Sequence, residues 1–272
     1  MENDKEINFP TPVVAWTTLA ILFLAYISSF VDRMIISLLV EPIKADFQIS
    51  DTQISLLLGL SFAIFYCLAA LPIGRLVDIW SRKKIVTVGI TLWSFMTALC
   101  GLAQNYTQLF LARIGVGVGE ASLAPAAYSM LADSFPPKKL GLAMGVFTMG
   151  TAVGAGLALI IGGAIISFVT GENGENVSLF GISFLSGWQW VFVLVGLPGL
   201  FIALLTSLIR EPDRIVIKEK KKLYGDISIP ISEVKKFFKI NADFYIPHHF
   251  AVGCSNLALV GINSWVSVYF MR

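Results

Sequence analysis

The chain has 272 residues, of which 56% are hydrophobic and only 14% charged, with a formal net charge of +2. Soluble domains carry about a quarter charged residues, so this composition excludes an ordinary soluble fold and a nucleic-acid binder, which needs a basic face. Long uncharged runs alternate with short charged clusters, the pattern of a multi-pass membrane protein.

In chain order, the runs predict spans at about 14–40, 52–73, 84–104, 107–131, 140–168, 187–209 and 246–271. About 20 residues cross a bilayer core of about 30 Å, so each is long enough. The head before span one carries Glu2 and Asp4 and does not read as a cleavable signal peptide. Asp32 and Arg33 lie near the far end of span one, and the outer loop is expected at about Glu41 to Ile49. Ser50 followed by Gln53 predicts a capping box at the start of span two. Trp188 and Trp190 open span six, where indole rings settle at a membrane interface. Cys67, Cys100 and Cys254 lack paired or metal-ligand spacing and read as packing residues. The polar stretch from Arg210 to Asp243, with Lys218, Lys220, Lys221 and Lys222, reads as a linker whose lysines touch anionic headgroups.

Of the lysines and arginines between the spans, 16 fall on one side and Lys44 alone on the other, while Glu172 and Glu175 occupy a basic-free loop. The positive-inside rule then places the N-terminus in the cytoplasm, in a plasma (inner) membrane. The domains expected are a cytoplasmic N-terminus at 1–12, a six-span bundle at 13–209, a basic linker at 210–245 and a seventh span at 246–272.

Span four holds the most informative charges. Arg113 and Glu120 stand seven residues apart, two helical turns, on one face of an apolar helix with about 10 Å between their levels. Each costs roughly 2.5 to 3.5 kcal/mol near a helix centre, so they mark a polar pathway. Asp32 and Arg113 lie at one depth, about 27 to 28 Å from the inner end, and Glu120 at about 16 Å. A structural ion pair and, for Asp32, an interfacial residue neutralised by Arg33 are the bland alternatives. Gly115 and Gly119, with Gly117 between them, do not form a nucleotide-binding GxGxxG; Gly115 and Gly119 form a small-xxx-small packing face. Gly150 and Gly154 read as a packing seam in span five.

The loop between spans two and three reads Gly74, Arg75, Leu76, Val77, Asp78, Ile79, Trp80, Ser81, Arg82, Lys83, Lys84. At Gly74, Leu76, Asp78, Arg82 and Lys83 it resembles the signature of the major facilitator superfamily, with Ile79 and Ser81 replacing the usual Arg and Gly. Span four, from Arg113 through Gly119, Glu120, Pro125 and Tyr128 to Asp133 and Pro136, is similar to the Spinster-like branch. So are Gly187, Trp188, Trp190 and Phe192, with Gln189 at a common Arg position, and Glu211, Pro212 and Arg214. In span five, Ala155 replaces the Pro of the family's antiporter motif.

The resemblance implies an all-α membrane protein with the major facilitator fold: the N-terminal six-helix bundle plus one further span, short of the family's twelve. A missing C-terminal half would then be required for function. Gly74, Asp78, Arg82 and Lys83 would form a cytoplasmic latch. Asp32, Arg113 and Glu120 would carry proton coupling or substrate recognition, Arg113 moving between the two carboxylates so that the one it leaves takes up a proton. The family's activity would be secondary transport driven by a proton gradient without a cofactor. A lysolipid- or sphingolipid-like amphiphile is the expected substrate, with Phe62, Phe65, Tyr66 and Tyr128 as an aromatic wall, and a small organic anion the alternative. A non-transporting scaffold or sensor, or an inactive partial chain, is the reading from another class. No nucleophile and base pair suggests an enzyme.

Overall fold

The computed structural model describes residues 9–170, 185–215 and 230–271. Glu2, Asp4 and Lys5, Glu172 and Glu175, and the lysines from Lys218 to Lys222 lie outside them. Every element among the described residues is helical, and the chain divides into two compact units, Met1–Ile215 and Val216–Arg272.

The first unit contains six helical stretches long and apolar enough to cross a membrane, and the chain is an all-α membrane protein. Span one is α1 (Pro12–Ile35), started by Pro12 and prolonged by a 3-10 turn at Ile36–Leu38. The expected outer loop at Glu41–Ile49 is mostly helical instead, forming α2 (Val40–Phe47). It ends where Gln48 takes a left-handed conformation (φ 52°, ψ 44°) and its N–H bonds the Lys44 carbonyl, a common helix stop. Next come α3 (Asp51–Ser55), a π-helical turn (Leu56–Leu60) and α4 (Ser61–Ile79), forming span two. The Ser50 and Gln53 capping box is present at its start.

The signature loop is shorter than its sequence suggests. Gly74 and Asp78 stand on α4, Arg82 and Lys83 open α5 (Arg82–Cys100), and only Trp80 and Ser81 connect them. Span four bends into α6 (Tyr106–Glu120) and α7 (Leu123–Ser134), because Glu120 ends one helix and Ser122 precedes the next. Spans five and six are α8 (Pro137–Thr170) and α9 (Gly187–Leu208). In the second unit, α10 (Ile231–Ile240) precedes α11 (Ala242–Met271), a 30-residue helix where the seventh span is expected.

Within the first unit, α5 packs on α9, α6 and α7, while α1 packs on α8, α9 and α7, and α4 on α6 and α7. The fourth span is the most enclosed, 61% of its apolar window being buried against 17% for the second and fifth. The side chains of Arg113 and Glu120 therefore sit in the middle of the bundle. Trp188 and Trp190, in the first turn of α9, are buried too: Trp188 packs edge-on to Phe47, and its Nε1 donates to Asp46 (2.8 Å). Cys100 is buried, but Cys67 and Cys254 are exposed and do not pack as expected.

Candidate functional site

Close helix approach creates the site. A Cβ built on Gly119 would lie 2.7 Å from the backbone N of Trp93 and 2.9 Å from the Gly89 carbonyl O, and one on Gly115 would lie 2.6 Å from Met96 Cγ. Those two glycines bring α6 onto α5, while Gly117 meets α4 at the Phe62 carbonyl, 2.7 Å from its own notional Cβ. Gly154 meets α1 at the Ile27 carbonyl (2.8 Å), and Gly150 lies 3.3 Å from Phe23 and Tyr26. The resulting seams draw α4 and α5 onto α6 and α1 onto α8.

Asp32, Arg113 and Glu120 are each about 1% exposed, and the fold brings all three together with Arg33. The pairing differs from the expected one. Arg33, not Arg113, holds Glu120, its Nε 2.5 Å from Oε2, and Ser29 Oγ donates to the same oxygen at 2.7 Å. Arg113 donates from Nη1 to the Asp32 backbone carbonyl at 3.3 Å. Neighbours on a helix diverge by about 100°, which is why Arg33 does not neutralise Asp32: Asp32 points into the bundle and Arg33 toward α4 and α6. Ser29 and Arg33, four residues apart, share a face; that spacing was the signal for Glu120's partners, and sequence reasoning missed it.

An aromatic cage surrounds the Arg33 guanidinium, with the rings of Phe62 at 4.8 Å and of Phe30 and Tyr66 at 5.0 Å each. Phe62 also lies 5.7 Å from the Arg113 guanidinium. Of the expected wall, Phe62 and Tyr66 are at the charges, stacked on one another at 5.5 Å. Phe65 is exposed, and Tyr128 packs edge-on to Phe147, which stacks on Tyr26. Among the described residues, three buried polar atoms here, Asp32 Oδ1, Arg113 Nε and Glu120 Oε1, have no hydrogen-bond partner, and leaving such groups unsatisfied is costly.

A second charged cluster lies at the other end of α5. Arg82 is fully buried, paired with Asp133 and, at 3.2 Å, with Glu211, and its Nη2 donates to the Pro212 carbonyl at 2.5 Å. Glu211 also accepts from Ser81 Oγ (2.5 Å) and the Arg82 backbone N–H (2.8 Å). Burial pushes the Glu211 carboxyl up, but these hydrogen bonds and the Arg82 charge outweigh it and hold the group below its ordinary value. Arg214 caps the α4 terminus, donating to the carbonyls of Val77 (2.7 Å), Asp78 (2.5 Å) and Trp80. Of the predicted latch residues, Arg82 is thus central, Lys83 and Gly74 are half-buried, and Asp78 is exposed with its backbone engaged.

Six membrane-length helices that enclose paired charges make this a polytopic helical membrane protein. The sequence profile of the Major Facilitator Superfamily matches residues 22–272, and the chain belongs to that family. It is similar to a bacterial homolog of the human lysosomal transporter Spinster, solved in an inward-facing, unoccupied conformation. The TM-score is 0.78 at 31% identity, over 97% of this chain and 56% of that one. Protein spinster homolog 1 of Xenopus tropicalis is 31% identical over 261 residues, covering 94% of this chain and 46% of the relative. A probable L-galactonate transporter of Escherichia coli K12 is 29% identical over 188 residues, covering 69% and 38%. The chain spans less than half the length of these two curated relatives.

Proposed function

We propose that the protein is a proton-coupled secondary transporter that moves an amphipathic organic anion by alternating access, using a proton gradient and no cofactor. The observation that carries this reading is the pair of half-buried Arg33 and buried Glu120 beneath an aromatic cage, with Arg113 on the neighbouring Asp32 carbonyl. Arg33 offers a cation for an anionic headgroup, and Phe30, Phe62 and Tyr66 offer faces for an apolar body. When the anion takes Arg33, Glu120 loses its counter-charge and accepts a proton; when Arg33 returns, the proton leaves. Asp32 and Arg113 form the second arm of the exchange, with Arg113 held on the Asp32 backbone carbonyl. This assigns to Arg33 the role first expected of Arg113.

A lysolipid-like substrate is favoured by the aromatic cage and by the likeness to Spinster proteins. A smaller organic acid is the second reading, favoured by the likeness to the probable L-galactonate transporter. Alternating access needs a wall facing Arg33, so the test uses the complete coding sequence in proteoliposomes with an imposed proton gradient. Saturable uptake of labelled lysophospholipid, competed by other lysolipids and not by galactonate or hexuronates, is expected. Uptake competed only by the sugar acids would select the second reading, and gradient-independent flux would refute proton coupling. The 16-to-1 lysine and arginine asymmetry supports a cytoplasmic N-terminus, and the location proposed with it is the plasma (inner) membrane.

A further inference from the structure

The helix α10 has no role in the exchange site, yet it is the most strongly amphipathic element described. On a helical wheel, Phe237, Val234, Phe238 and Ile231 fall within about 120° of one another. Lys235, Lys239 and Lys236 follow on one side of that arc, and Glu233 is the single acid on the other. Ile231, Phe237 and Phe238 are each half exposed or more, and all ten residues of α10 are exposed. A stripe of this size facing water is unfavourable.

What covers it is indicated by where the helix stops. Asn241 (φ −104°, ψ 20°) interrupts the helix for one residue, and α11, the 30-residue helix at the seventh span, begins at Ala242. The end of α10 is therefore held at the level where that span begins. At this joint the Tyr245 ring lies 5.7 Å from Phe237 and 5.4 Å from both Phe238 and Phe244. A cluster of Phe and Tyr rings where a span starts is the composition of a membrane interface. Three lysines beside the apolar arc match anionic phosphates, and their long stems let the ammonium groups rise to headgroup level while the rings sink below it.

We propose that α10 lies in the plane of the membrane surface, with Ile231, Val234, Phe237 and Phe238 inserted and Lys235, Lys236 and Lys239 on anionic lipid headgroups. It thereby acts as an anchor that fixes the start of α11. The occupant of the face is the bilayer itself, preferentially one containing phosphatidylglycerol or a similar acidic lipid.

The test places a spin label at Val234, Phe238 or Lys236, one at a time, in the complete protein with its native cysteines replaced by serine. The labelled protein is reconstituted in vesicles of phosphatidylcholine alone or with phosphatidylglycerol as the minor lipid. Collision with oxygen reports the apolar phase and collision with a water-soluble nickel chelate reports water. At positions 234 and 238 the oxygen-to-nickel ratio should exceed that at 236 several-fold, and the difference should grow with phosphatidylglycerol. Changing Lys235 and Lys239 to Gln should cancel that growth. Equal water access at all three positions would overturn the proposal. So would protection of 234 and 238 from both probes, the sign of a covering protein surface, or indifference to the acidic lipid. None of these readouts depends on substrate flux, so the transport reading and the anchor can fail separately.

Discussion

Glu120 is fully buried and its partner Arg33 is 22% exposed by side chain, so the two ends of this ion pair are not equivalent. Removing Arg33 strands a carboxylate in the interior, at a cost of roughly 3 to 5 kcal/mol for a buried pair, with the partial exposure of Arg33 favouring the lower figure. We expect Arg33→Ala to lower the melting temperature in detergent markedly, and the double variant Arg33→Ala with Glu120→Gln to recover most of the loss. Additive losses in that cycle would show that the two side chains are not energetically coupled. Glu120→Gln alone keeps shape but cannot titrate: gradient-driven uptake should vanish while substrate exchange survives. Glu211 gives a pH prediction. Its folded value lies below the ordinary one, so its stabilising effect is complete above the unfolded value and is lost as pH falls through the folded value. The stability difference between wild type and Glu211→Gln should thus be present at neutral pH and shrink on acidification, as read from melting curves across that range. The sequence made the buried charges of span four legible because a charge in an apolar helix is conspicuous. It did not reveal their pairing, since Arg33 and Arg113 are both candidate partners by sequence and only the fold brings Arg33 Nε to within 2.5 Å of Glu120.

At the level of elements, the glycine seams make a sharp distinction. A methyl at Gly119 meets backbone atoms of Trp93 and Gly89 at 2.7 and 2.9 Å, which cannot swing aside, whereas one at Gly145 meets nothing within 4 Å. We expect Gly119→Ala to destabilise by about 1 to 3 kcal/mol through forced separation of α5 and α6. Gly145→Ala should be neutral or slightly stabilising, because alanine favours helix by about 1 kcal/mol. Paired thermal shifts in one detergent would check this, and equal effects would refute the seam. Hydropathy and capping signals made the long helices legible: Ser50 with Gln53 is both a sequence pattern and an observed box. Two local features were not legible. The helix α2 hides in a short polar stretch, and the π-helical turn at Leu56–Leu60 leaves no composition signal. The break after Glu120 falls where Pro125, in the first turn of the next helix, has no N–H for the Ala121 carbonyl and crowds it with its ring.

For the molecule as a whole, the two charged clusters of the first unit differ in kind. Around Arg33 and Arg113, buried polar atoms are left without partners, whereas the Arg82 guanidinium donates to Asp133, Glu211, Ser129 and the Pro212 carbonyl. The first arrangement suits rearrangement and the second suits a fixed knot tying α5, α7 and the segment after α9. A fixed knot at one end of the bundle and, on the proposed mechanism, a rearranging pair in its middle would suit a half that rocks as a rigid body. The knot should then sit on the cytoplasmic side, since the loops beside it hold most of the lysines and arginines. Thr52 and Lys138 are both exposed, one at the start of span two and the other at the start of span five. If the orientation is right, single cysteines at these positions, in a background where Cys67, Cys100 and Cys254 are serine, face opposite sides of the membrane. An impermeant thiol reagent added to intact cells should label position 52 and spare position 138 until the membrane is opened. Labelling of 138 but not 52 would invert the topology. The knot would then face the outside, and the proton cycle assigned to Glu120 would run against the gradient proposed to drive it.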